Sequence, residues 1–252
     1  DPANGRAVGT LGDSKQQTLG FIGHSDDMVA AWEDGRPLLY KPDGSTQAID
    51  TPKGANNLNI TRIVGNGDAG LLASVSRSGS AVFFWDMKTG KLAGRADDRQ
   101  SFGAFSVAFH PGPGGWIARG GSNQNILIWA WPQTGLPDIV GAPLKRLLGH
   151  TGIIRRMRVT AQGRLMTEAD DHAAILWDPL HGHAIARYDG VMDSRLSADG
   201  NRFVFIGADG AVHIAQLPPT GQALIDAARK RYGELSADER DRYFLSEEIN
   251  RR

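Results

Sequence analysis

A closing aromatic residue recurs through this chain at a near-constant interval, and that spacing limits the fold more than any composition value does. The run AILWD places Trp177, and AVFFWD and NILIWA place Trp85 and Trp129 at the same point of the same pattern. Tyr40 of PLLYKPDG and Ala215 of AVHIAQ stand at matching offsets. The anchors therefore fall at intervals of 45, 44, 48 and 38 residues. Six residues before each anchor comes Asp34, Gly79, Asn123, Asp171 or Asp209. Those residue types accept the left-handed backbone of two-residue hairpin turns. Opening runs recur too, as TLGFI, ITRIV, FSVAFHP, IRRMRV and MDSRLSADG. A period of about 40–45 residues, each holding four short strands, is the signature of propeller blades that bury their faces against one another.

The clearest repeat runs from Leu147 to Gly190. It divides into Ile153–Val159, Arg164–Thr167, Ala173–Trp177 and Ala184–Tyr188, separated by Gln162-Gly163, Asp170-Asp171 and His181-Gly182. Short apolar runs bounded by such turn residues read as hairpin-connected strands. Glycine supports this, at 32 of 252 residues against a usual ~7%. Within the repeat, Gly149-His150, the turn residue Asp171 and the closing Trp177-Asp178 resemble a WD40 repeat. That resemblance implies a structural hydrogen-bonded tetrad of His150, Thr167, Asp171 and Trp177. The other repeats depart from the pattern: Trp85 lacks the His and Asp, Trp129 has Asn123 for the Asp, and Ala215 replaces the Trp.

The expected architecture is an all-β, WD40-like β-propeller over residues 1–218. Five four-stranded blades fall at about 15–50, 58–98, 103–148, 149–188 and 189–218. The last repeat stops at Leu217-Pro218-Pro219 before a fourth strand, and residues 6–11 (RAVGTL) are expected to close it. Five blades leave two possibilities open, a compact closed ring or part of a larger ring whose other blades lie outside this sequence. Residues 219–252 change to helical spacing, with a Ser236-to-Glu239 capping box after Gly233. They form a short C-terminal helical tail resembling appendages of bacterial multidomain signalling and antiviral defence proteins.

Charge and cysteine usage narrow the function. Lys+Arg and Asp+Glu both number 28, so no polyanion partner is implied overall, and the absence of cysteine removes zinc–thiolate sites and thiol nucleophiles. No run of about 20 apolar residues appears, and DPANGRAVGT lacks the form of a signal peptide. A cytoplasmic chain without membrane contact is expected, one trimmed or cut from a longer parent because it lacks a starting Met.

His150, Thr167 and Asp171 would also suit a threonine-based triad, but Trp177 fits the structural tetrad and has no part in a hydrolase. No G-x-S-x-G elbow is present. Asp170, Asp171, His172, His181 and His183 offer metal-ligating types, yet no third ligand is fixed by spacing, so no metal and no cofactor are expected. Residues 145–164 carry Lys145, Arg146, Arg155, Arg156, Arg158 and Arg164 with no acid among them. They read first as solvated strand and loop arginines, some pairing with nearby Asp, and next as a match for an acidic protein surface. They lack the aromatics that stack on single-stranded nucleic acid. HPGPGGW, from His110 to Trp116, has no Lys-Ser/Thr pair and reads as a turn. Arg155, Arg156, Arg158 and an exposed Trp131 are the expected partner contacts.

The expected function is a non-enzymatic platform for protein–protein interaction, binding a partner protein or another domain of its parent polypeptide. The alternative is the sensor half of a bacterial defence or signalling system, restraining an effector enzyme such as a protease. A propeller enzyme working through the central channel is the third class.

Overall fold

The computed structural model describes the backbone of residues 16–23, 28–32, 37–41, 45–50, 60–99, 103–197 and 199–220, with Asp226 and Lys230 beyond. The strands fall into five successive groups. The first holds β1 (Gln16–Gly23), β2 (Met28–Trp32), β3 (Pro37–Tyr40) and β4 (Thr46–Ala48). The second holds β5 (Ile60–Asn66), β6 (Leu71–Ser76), β7 (Ala81–Asp86) and β8 (Leu92–Asp97). The third comprises β9 (Ala104–His110), β10 (Trp116–Gly121), β11 (Ile126–Ala130), a short β12 (Asp138–Val140) and β13 (Lys145–Leu147). The fourth comprises β14 (Ile154–Val159), β15 (Leu165–Ala169), β16 (Ala173–Asp178) and β17 (His183–Asp189), and the fifth β18 (Val191–Leu196), β19 (Arg202–Gly207) and β20 (Val212–Gln216). Each group is an antiparallel meander, apart from β12, which leaves the third group for the edge of the second. All five anchors, Tyr40, Trp85, Trp129, Trp177 and Ala215, fall on third strands.

The apolar clusters show how successive blades stack. Among the described residues four core clusters are present, and each fills the seam between one blade and the next. Middle strands are covered on both faces, so β6 and β10 are buried along their whole length and lack the polar alternation of a one-sided sheet. First strands pack against one another around the axis, β5 on β9 and β9 on β14. Outer strands are solvated, as in β17. At Gly120 a Cβ would lie 2.4 Å from Met157 Cε and 2.7 Å from Ile154 Cγ2, so glycine admits the fourth blade's inner strand.

The 48-residue interval between Trp129 and Trp177 has a structural cause. Before supplying its outer strand β13, the third blade sends β12 outward to pair in parallel with β8 of the second blade. Arg95 N–H donates to Pro137 O at 2.7 Å. A Cβ at Gly94 would sit 2.0 Å from the same oxygen, which excludes any larger residue there. Blades one and two are also linked by a short parallel bridge of Ile22 with Gly65 and Gly23 with Asn66.

Among the described residues the fifth blade has three strands. Its inner-seam face, with Phe203 and Leu196, packs on the fourth blade, while Val212 and Ile214 on the other face are 66% and 67% exposed. Residues 6–11 lie outside the described residues, as does nearly all of the 219–252 tail. The start of that tail is fixed at the base of the fourth blade, where the Arg164 guanidinium donates to Pro218 O at 2.6 Å and Pro219 O at 3.2 Å.

Candidate functional site

The structure brings His150, Thr167, Asp171 and Trp177 into one buried chain of hydrogen bonds. The Trp177 indole N–H donates to Thr167 Oγ1 at 2.9 Å, and Thr167 Oγ1 lies 2.8 Å from His150 Nε2. His150 Nδ1 lies 3.0 Å from an Asp171 oxygen, which also accepts from Thr151 N–H at 2.8 Å. One proton arrangement satisfies every member: Nδ1–H donates to Asp171, and the Thr167 hydroxyl donates to Nε2 while accepting from the indole. Burial pushes the His150 imidazole below its ordinary value, against the pull of Asp171. Burial pushes the Asp171 carboxyl up, but the Thr151 and Ala173 N–H groups and His150 outweigh it and hold the carboxyl below the usual range. Thr167 has 0% exposure, so its hydroxyl is sealed from any substrate and serves the packing of the blade.

The other tryptophans meet the same need differently. Trp85 donates its indole N–H to Asp50 O at 2.8 Å, and Trp129 donates to Gly141 O, on the outward excursion, at 3.3 Å. The place of Thr167 is taken in the third blade by Arg119, which is 3% exposed and donates to Gly79 O at 3.2 Å. A carbonyl from a neighbouring segment can replace the tetrad, which is why the motif fades while the period persists.

Trp131 corrects the expectation of an exposed anchor. It is 5% exposed, edge-on to Phe84 with centroids 5.6 Å apart and stacked on Phe109 at 6.0 Å. The excursion before β12 folds this indole back into the seam between blades two and three. The expected metal-type residues are engaged with neighbours: Asp170 holds Arg155, Asp171 holds His150, and His181 Nδ1 lies 2.9 Å from Asp178.

The basic run separates into different environments. Lys145 and Arg146 are exposed on outer strand β13. Arg155, Arg156 and Arg158 all lie on inner strand β14, near the end of the ring that carries the turns between second and third strands. Arg155 makes a forked contact with Asp170, Nε to Oδ1 at 2.8 Å and Nη2 to Oδ2 at 2.6 Å, and Asp170 raises its pKa accordingly. Arg156 joins Glu168 and Asp193, and Arg158 joins Glu168 and donates to Ser194 O at 3.1 Å. The hydrogen bond from Arg156 leads the effects that hold Asp193 down to about 2.

Strand register supplies what the sequence did not display. All five inner strands carry an irregularity one residue after the upper end, at Gln17, Thr61, Phe105, Arg155 and Met192. The residues just below it are equivalent: Arg62, Ser106, Arg156 and Asp193. The bulge residues lie at the end of the inner strands nearest the turns between second and third strands, and the next residues stand one step further along. At that end the partly exposed Phe105 ring has the Arg77 guanidinium 5.1 Å from its centroid and that of Arg155 5.3 Å away. Phe105, Arg77 and Arg62 were missed; the signal for two of them was that Phe105 and Arg62 stand at the inner-strand positions of Arg155 and Arg156 in their own repeats.

No family model and no curated protein matches this chain. Among solved structures it is similar to the β-propeller domain of Cps50 (Swd1) from Myceliophteria thermophila. The TM-score is 0.65 at 15% identity, covering 86% of this chain and 69% of that one. Fold and comparison together define an all-β, WD40-like propeller. At that identity the likeness is one of fold.

Proposed function

We propose that this chain is a non-enzymatic platform that binds a partner protein, or another domain of its parent polypeptide, through the channel mouth. The carrying observation is Phe105 between Arg77 and Arg155: a partly exposed aromatic flanked by cations, held on rigid inner strands. Aromatic and arginine side chains dominate interface energetics because they offer large apolar faces and fixed donors at low entropic cost. A ring of blades suits this role, since the core holds the upper turns in place without using them. Arg155 is the expected contact that best meets the requirement, because its side chain is 48% exposed while Arg156 and Arg158 are drawn into the channel wall.

The test compares capture from lysate of the source organism by the wild-type chain, by Phe105→Ala with Arg77→Ala, and by Lys88→Ala at the opposite end. The account expects one stoichiometric partner with wild type and Lys88→Ala and its loss with the double variant. Equal capture by all three would overturn it. The narrower proposal, a cytoplasmic bacterial system in which the platform restrains an effector such as a protease, rests on the resemblance of residues 219–252. It requires an enzymatic module in the natural polypeptide or operon whose activity rises when the platform is removed.

A further inference from the structure

The row of residues one step past the bulges has an uneven charge. Arg156 is matched by Glu168 and Asp193, and Arg158 by Glu168. Asp193 also takes Arg195 at 3.0 Å. Arg62, the equivalent residue of the second blade, is partly buried, and among the described residues no acceptor bonds its guanidinium. Between Arg62 and Arg156 the row offers only Ser106, whose hydroxyl is spent on Ile154 O at 3.0 Å. Burial lowers the pKa of Arg62, and repulsion from Arg156 and Arg158 lowers it further, with Glu168 giving partial relief. Two acids thus serve three guanidinium groups, those of Arg156, Arg158 and Arg195, and Arg62 is left outside the set.

An unmatched, half-desolvated arginine is costly unless something completes it. We propose that Arg62, with Arg156 across the small Ser106 gap, forms a carboxylate-binding site in the channel wall, filled by an Asp or Glu side chain of the bound partner. The planar donor fork of arginine matches a carboxylate in two parallel hydrogen bonds. A carboxylate there would give Arg62 the acid that Arg156, Arg158 and Arg195 already share in Glu168 and Asp193. The proposal depends on the platform reading for the source of the carboxylate, but the site itself is testable without any partner.

The probe is glutarate, which ends as a Glu side chain does, titrated into the purified chain and followed by the Arg Nε–H resonances. Inorganic phosphate is titrated in parallel. Glutarate is expected to shift the Arg62 signal saturably, and Arg62→Gln to weaken its binding by about tenfold or more, as loss of a charged hydrogen-bonding partner predicts. Arg62→Lys retains the charge and is expected to recover part of the affinity. Without glutarate, Arg62→Gln is expected to unfold at the same temperature as wild type or higher, because a repelled cation has been removed. Three results would each overturn the proposal: no saturable shift, unchanged affinity in Arg62→Gln, or phosphate binding about tenfold tighter than glutarate. Absence of glutarate binding leaves the platform reading standing, and failure of partner capture leaves the site standing, so the two are separable.

Discussion

Replacing Thr167 by valine removes one oxygen from the centre of the fourth blade and almost no volume. Two groups lose their only good partner. The Trp177 indole N–H, on a residue 2% exposed, has no acceptor, and His150 Nε2 has no donor. The imidazole cannot adapt by moving its proton, because Nδ1 faces Asp171 at 3.0 Å. Each buried orphan costs about 1–3 kcal/mol, and valine, being more apolar than threonine, returns roughly 1 kcal/mol of this. A net loss of about 1–5 kcal/mol follows. For a chain of this size that corresponds to a fall in Tm of roughly 2–20 °C. The assay is urea unfolding followed by tryptophan fluorescence, with Thr167→Ser as the control. Serine keeps the hydroxyl and deletes one methyl group, at a cost of about 1 kcal/mol. A loss in Thr167→Val no larger than in Thr167→Ser would refute the reasoning, since the hydroxyl would then contribute nothing beyond its attached carbon.

Other expectations follow from the same geometry. Trp131→Ala is expected to lose about 3–5 kcal/mol of stability, as large core truncations do; a variant with unchanged unfolding but lost partner binding would return Trp131 to the surface. Glu168→Ala leaves Arg158 without its carboxylate and the Ser194 hydroxyl without its acceptor, with Arg156 held by Asp193 alone, at a cost of about 3–5 kcal/mol, whereas Arg155→Ala, at a half-exposed pair, is expected to cost about 0–1 kcal/mol. Equal costs by urea titration would show that the channel network is no more buried than the mouth. His150 has a folded pKa below its unfolded value of about 6.5, so its contribution is complete above that pH. It is lost as the pH falls from about 6.5 towards the folded value. Asp171, also depressed, adds a second loss as the pH falls below about 3.8. Urea midpoints from pH 8 to pH 5 should decline in wild type and stay flat in His150→Gln.

The sequence carried the propeller plainly because each blade repeats the same burial demand. A middle strand covered on both faces and a large anchor on the third strand recur whatever the exact residues. Trp85, Trp129 and Trp177 therefore kept their places while their hydrogen-bond partners changed from Asp50 O to Gly141 O to Thr167. The tetrad of the fourth blade was legible because all of its partners are side chains. Trp131 was misread because its burial depends on an irregular excursion that no local period encodes. Arg156 and Arg158 were read as partner contacts for a related reason. The acids that hold them, Glu168 and Asp193, arrive from a neighbouring strand and the next blade, beyond a stretch of twenty residues without an acid. Arg62 was invisible alone, and only strand register makes it the counterpart of Arg156.

The most direct test of the platform account is hydroxyl-radical footprinting of the captured complex against the free chain. Phe105 and Met192 are oxidisable side chains at the channel mouth, and Met192 is 57% exposed. His181 and His183 mark the opposite end. Several-fold protection of Phe105 and Met192, with His181 and His183 unchanged, is the predicted result. Protection of His181 and His183 with Phe105 and Met192 left reactive would place the partner on the other end of the ring and contradict the account.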